Sequence, residues 1–376
     1  MEIIDALLHG QRGRRLLWEF AVASEAKLVA NDSQRHLYIG MSHASYQIEN
    51  ARGDSVVMFG PGAEDREQIS VGVEELADLL GCTALIPTTE PLLRSLLSIS
   101  TDAARYWQAP DGIDSLLASK ALKSQLARVA EHIVRSGLAE QWFEPVDRDT
   151  QHRVYFETPE PYESPQPLWR TGIESLLAWK EHVIVTEARS VRTSKKYSLG
   201  TFSGEWWSAP SMYVDSTCGE FSDGQPVGLS CVEDGFGWEK ATATKVDIPR
   251  SDKVLEISSA EQWVKLCQDH GIEVTWQKRH DWYHVTGRDG AWVIPDWLAV
   301  ARNYDGVHLS IGAYLALAGE CLSVDTKFAT IMAGWDPDKT YWFIDDLRDS
   351  EHSQNWKCVD VHSNDAHWIM DEDSKS

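Results

Sequence analysis

Residues 335–338, Trp-Asp-Pro-Asp, put two carboxylates into a tight turn between an apolar run over 329–335 and a strand expected over 340–344. Acidic side chains at a strand end, bracketed by Trp335 and Trp342, suit a site better than they suit packing, so Asp336 and Asp338 are candidate acids. Glu233-Asp234 is a second carboxylate pair, although Asp234-Gly235 is first of all turn chemistry. The run Lys278-Arg279-His280-Asp281-Trp282-Tyr283-His284 is dense in functional groups. His280 and His284 have the i,i+4 spacing of metal ligands on a helix, but Trp282, Tyr283 and Val285 read as a strand, so no metal is expected. Gly10-Gln11-Arg12-Gly13-Arg14-Arg15 opens a helix as a phosphate cradle does. Its spacing fits neither phosphate-loop fingerprint, which favours a plain helix start with solvated arginines. No G-x-S-x-G elbow occurs, which excludes an α/β-hydrolase.

The elements that must carry these residues divide the chain. Residues 36–59 alternate loosely and suggest two strands, and helices are expected over 73–80, after Thr89-Glu90-Pro91, and over 113–136. Residues 1–145 therefore read as a mainly helical scaffold or partner domain. Residues 146–202 read as an extended, proline-rich linker plus one helix over 171–191. Short strands then crowd residues 203–347, including 205–208, 227–232, 241–248, 253–257, 283–286 and 292–294. Asp296 is placed to cap a helix ending at Tyr304-Asp305-Gly306, where glycine suits a positive φ. The fold class expected is α+β: a mainly helical N-terminal domain followed by a mixed, mostly antiparallel β domain with short helices. Residues 348–376 read as an acidic, peripheral tail.

The 376 residues carry a formal net charge of −23, which repels phosphate backbones and argues against general nucleic-acid or anionic-membrane binding. No stretch approaches the roughly 20 apolar residues of a membrane helix, and residues 1–5 lack a basic region leading an apolar one, so no signal peptide is expected. Six scattered cysteines without a CxxC pair predict a reducing cytoplasm rather than a disulfide framework. The anomaly is 17 tryptophans, which form either a Trp-rich core or flat surfaces for a ring-bearing ligand, a nucleotide base or a sugar.

Several landmarks in the second half occur in a familiar order: Gln225-Pro226-Val227-Gly228-Leu229, then Trp238, then the strand over 253–257, then Trp297 through Tyr304-Asp305-Gly306-Val307, then Gly334-Trp335-Asp336. In these the segment resembles divergent ADP-ribosyltransferase-like domains of bacteria and phages, and the whole chain resembles a group of actinobacterial proteins. The domain-level resemblance covers 203–347. It implies an ADP-ribosyltransferase-like fold, cleavage of the nicotinamide–ribose bond of NAD as substrate, and transfer of ADP-ribose to an acceptor, without a metal. The transition state is oxocarbenium-like, so the resemblance assigns Asp336, with Asp338 as alternate, to the ribose. For binding the cofactor it assigns Trp207-Ser208, in the place of an aromatic or histidine followed by a hydroxyl, Ser216, Thr217 and Ser230 as hydroxyls supporting the ribose, Gly228 of the motif strand, Trp335 of the closing motif, and Arg279 at the pyrophosphate. Two departures stand out: no glutamate at 329–342 and no histidine before Ser208. Two other classes stay open, a catalytically silent module holding a protein partner, and a glycan-processing enzyme using paired carboxylates and tryptophan platforms.

Overall fold

The computed structural model describes residues 3–54, 70–157, 171–249, 253–361 and 366–371. Its N-terminal half is helical, built around Gln11–Leu28, which buries Leu16, Leu17, Trp18, Phe20 and Ala21. The arginines at its start are not solvated and form no open cradle. Arg12 pairs with Asp114 and donates to Ser100 O at 2.9 Å, while Arg15 pairs with Glu19 at 2.8 Å and Asp111 at 2.9 Å. The glycines serve packing: a Cβ on Gly10 would lie 2.0 Å from Leu315 O, and one on Gly13 would lie 2.4 Å from Leu7 O.

Where strands were expected over 36–59, the chain forms the helix His36–Arg52; residues 55–59 lie outside the described ones. Leu37, Met41 and Ala44 are buried at helical spacing, a period that outweighs the loose alternation. The helix expected over 113–136 is two, Gly112–Leu117 and Lys120–Val134, because Ser119 restarts it by accepting Leu122 N–H at 3.4 Å.

The β half has twelve strands among the described residues: β1 (His152–Phe156), β2 (Ser216–Cys218), β3 (Lys240–Asp247), β4 (Val254–Ile257), β5 (Gly271–Glu273), β6 (Ala291–Pro295), β7 (Gly306–Leu309), β8 (Cys321–Ser323), β9 (Phe328–Ile331), β10 (Lys339–Trp342), β11 (Arg348–Val359) and β12 (His367–Met370). They form an eight-stranded sheet ordered β12-β11-β3-β1-β2-β10-β7-β4 and a four-stranded sheet ordered β5-β6-β9-β8. Pairings are antiparallel except β4 with β7 and β6 with β9, so the fold is α+β with mixed, mostly antiparallel sheets. No described helix is long and apolar enough to cross a membrane.

Four local expectations are corrected. Residues 205–208 form no strand. Residues 227–232 hold a single helical turn, Val227–Ser230, rather than a strand. Residues 283–286 end the helix Thr275–Thr286, which buries Gln277, Lys278, Asp281 and Trp282. Gly306 does not turn with positive φ; it opens β7, and a Cβ there would lie 2.9 Å from the Trp342 ring.

In the segments expected as linker and tail, residues 158–170, 362–365 and 372–376 lie outside the described ones, and the described parts are structural. β1 sits inside the large sheet between β2 and β3, and β11 pairs along β3. Trp356 and Trp368 are buried with Leu229, Ala241 and Ala243 in a small second cluster. Truncation before Ala366 is therefore expected to lower unfolding free energy by about 2 kcal/mol, the worth of one large buried side chain, readable by urea denaturation. The main core runs without interruption from Ala6 to Phe343, joining the helical half to both sheets.

Candidate functional site

Seven tryptophans, at 18, 263, 282, 292, 297, 335 and 342, are fully buried, which answers for part of the Trp excess. Others gather elsewhere. Trp179, Trp206, Trp207, Trp238, Tyr213, Phe236 and Tyr341 line a cleft of about 610 Å³ together with His182, Glu205, Glu233 and Asp234.

The wall carrying Trp207 is held by its backbone. Lys278 Nζ donates to Glu205 O at 2.9 Å, Trp282 Nε1 to Trp206 O at 2.9 Å, and Trp297 Nε1 to Ser208 O at 3.1 Å. Ser208 exchanges bonds with Ala333, donating its backbone N–H to Ala333 O at 2.8 Å and accepting Ala333 N–H on Oγ at 3.0 Å. Burial lowers the Lys278 pKa to about 8, against the pull of Glu205 and Asp281. A Cβ on Gly334 would lie 2.5 Å from Trp207 Cβ, so only glycine lets this wall close.

The floor is the loop Glu233 to Trp238. Asp234 takes φ 56° and Gly237 φ 67°, a conformation that Asp and Gly tolerate best. The loop leaves Phe236 78% exposed at the mouth, while Trp238 stacks on Phe156 at 4.2 Å. Glu233 is buried. Its Oε2 accepts Gly334 N–H at 2.8 Å, its Oε1 has no hydrogen-bond partner, and the Tyr314 side chain is a close neighbour. Burial, then the charge of Asp336, pushes its pKa up to about 8. At neutral pH Glu233 is thus a carboxylic acid beside an aromatic cleft. Sequence inspection found this residue but gave it to the Asp-Gly turn; the turn is there, and it delivers the acid.

The candidates from sequence scatter over three settings. Asp336, Ser216, Thr217 and Gly228 line a smaller cavity of about 240 Å³ with His152, Lys339 and Trp238, which adjoins the cleft through Trp238. Asp336 is not a free turn carboxylate there: Oδ1 accepts Glu233 N–H at 2.9 Å and Oδ2 pairs with Lys339 at 2.7 Å. Thr217 Oγ1 is occupied by Gln151 and by Trp342 Nε1. Trp207 alone of the set faces the larger cleft, whereas Ser208 is buried in its backbone clasp and Trp335 lies in the core against Trp263 and Trp297. Ser230 Oγ accepts from Gln225, and the Arg279 guanidinium lies over the Trp276 ring at 5.0 Å.

Asp338 belongs to a clamp. Its Oδ1 meets His308 Nε2 at 3.1 Å, and Glu256 Oε2 meets His308 Nδ1 at 2.6 Å. Burial lowers the His308 pKa, but hydrogen bonds to Asp338 and Glu256 more than offset it and raise it to about 9. His280 and His284 do share a helix, yet both hold one residue: Gly200 N–H donates to His280 Nδ1 at 3.0 Å, and His284 Nε2 meets Gly200 O at 2.7 Å. Among the described residues no three His, Cys, Asp or Glu side chains converge as metal ligands. A further cavity of about 640 Å³ borders Arg12, Arg15 and Arg105, but those cations already bind carboxylates or carbonyls of the chain.

No protein-family model, curated protein or solved structure matches this chain.

Proposed function

We propose that the chain is a glycan-processing enzyme that cleaves a glycosidic bond of a neutral sugar, with Glu233 as general acid. The observation that carries this is a buried carboxyl with its pKa raised to about 8 on the floor of an indole-lined cleft. A glycosidic leaving oxygen needs a proton, and an acid still protonated at pH 7 supplies it. Sugar rings stack on aromatic faces, for which the Trp207 indole and the Phe236 phenyl ring stand exposed at the cleft. Glu205, whose carboxylate is bound by His182, serves as the second carboxylate, the base that takes a proton from the water whose oxygen replaces the leaving group at the anomeric carbon. Among the described residues the cleft is lined by Glu205, Glu233 and Asp234 and by no lysine or arginine, so it suits an uncharged ligand better than a dinucleotide.

Binding to a panel of neutral oligosaccharides, with reducing-end release as readout, tests the proposal. At least one glycan is expected to bind and be cleaved, and Phe236→Ala is expected to weaken binding about tenfold, since a stacked ring carries roughly 1–1.5 kcal/mol. Stability should move by less than about 0.5 kcal/mol, because that ring is 78% exposed. A blank panel sinks the proposal.

The second reading is NAD cleavage by an ADP-ribosyltransferase-like site, with a protein acceptor. It draws support from the smaller cavity, where Asp336, Ser216, Thr217 and Gly228 adjoin Lys339 and His152. Release of nicotinamide from NAD together with a blank glycan panel would select it.

A further inference from the structure

We infer that the outward face of the helix Gly172–Thr193 is a self-association surface, on which a second copy of this chain packs the same helix antiparallel. The helix buries Leu176, Trp179 and Val183 against its own chain. On the adjoining face, about 100° round the helix, Leu177, Ile184 and Val191 recur every seven residues, and they are 52%, 52% and 46% exposed. Ile173, 40% exposed, extends the same line by helical geometry, giving an apolar stripe about 27 Å long. A surface helix ordinarily turns such a stripe inward. This one has a second stripe for its own core and leaves the heptad line outside.

Charge selects the occupant. Glu174 and Glu181 lie before Ile184, where Lys180 is paired with Asp296 of its own chain; Arg189 and Arg192 lie after it, where Glu187 accepts Trp276 and Gln277 N–H. Among the described residues Glu181, Arg189 and Arg192 have no ion-pair partner within the chain. Two copies antiparallel about Ile184 bring Leu177 of one against Val191 of the other. The same arrangement lays the acidic half of each helix along the basic half of its mate. A parallel pair would put like charges side by side, so the pattern is self-complementary in one orientation only.

The inference does not depend on the function of the cleft. Sedimentation velocity of the full chain over a range of concentrations is expected to show a reversible dimer. Ile184→Glu, at an exposed position and verified as folded by circular dichroism, is expected to raise the dimer Kd by at least about tenfold. Glu181→Arg should weaken the homodimer, and mixing that variant with Arg189→Glu should restore a dimer containing one of each. A monomeric wild type at the highest concentration, a dimer indifferent to Ile184→Glu, or no recovery on mixing the charge variants would each overturn it.

Discussion

Glu233→Gln is expected to remove most of the activity while making the protein more stable. The two effects share one cause. Burial, assisted by Asp336, holds the Glu233 carboxyl at about 8 in the folded chain against 4.5 ordinarily. At pH 7 folding must keep a proton on this side chain that the unfolded chain has released, which costs on the order of 3 kcal/mol. The cost is absent below about pH 4.5, grows as pH rises from there, and is complete above about 8. Glutamine keeps an acceptor for Gly334 N–H and offers an amide N–H to Tyr314, so the variant should gain stability at pH 7 and show a flatter pH profile. Without an acid to protonate the leaving group, turnover should fall at least roughly a hundredfold. In the wild type, activity should decline as pH rises through about 8, since the working form is the protonated one. Denaturation and kinetics measured together decide the matter. A variant that loses activity and stability alike would mean that Glu233 is a packing residue.

Much of the fold was legible because it rests on local chemistry. The cap at Asp296 forms as its spacing implies, its side chain accepting Ala299 N–H. The amphipathic stripe over 120–134 buries Leu122, Leu126, Val129 and Ile133. What failed is long-range. β1 reads as a linker because a five-residue strand inside a sheet carries little pattern of its own, and its partners lie at 216–218 and 240–247. The helix Thr275–Thr286 reads as a strand because its aromatic residues serve two clients, Trp282 going to the core and Tyr283 to the surface.

The site was legible in its residue types and not in its geometry. A buried carboxyl and an exposed one look identical in a sequence, and burial here is set by Tyr314 and Gly334, both some 80 or more residues downstream of Glu233. Asp336 was found through its turn, and it does meet the site, but as the acceptor that holds Glu233 N–H and as the charge that raises the neighbouring carboxyl. Ser208 illustrates the converse. A hydroxyl beside a tryptophan suggests a ligand contact, yet a buried Oγ with a backbone N–H at hand takes that partner instead.

His308→Gln is expected to destabilise the protein by about 3 kcal/mol at pH 6–7, the scale of an ion removed from a buried cluster. His308 is 1% exposed between Glu256 on β4 and Asp338 ahead of β10, so one imidazolium joins three pieces of the large sheet. Glutamine fills the space but leaves two carboxylates facing each other without their cation. The pH dependence identifies the charge as the cause. The folded pKa of about 9 lies above the ordinary 6.5, so the stabilisation is fully present below 6.5 and is lost as pH rises through about 9. The stability gap between wild type and variant should therefore be widest near pH 6 and should close by about pH 10. Adding Glu256→Gln to the variant should recover part of the loss, because it removes one of the stranded charges. A gap of constant width across this range would mean that His308 acts by shape and hydrogen bonding, with no cation in the clamp.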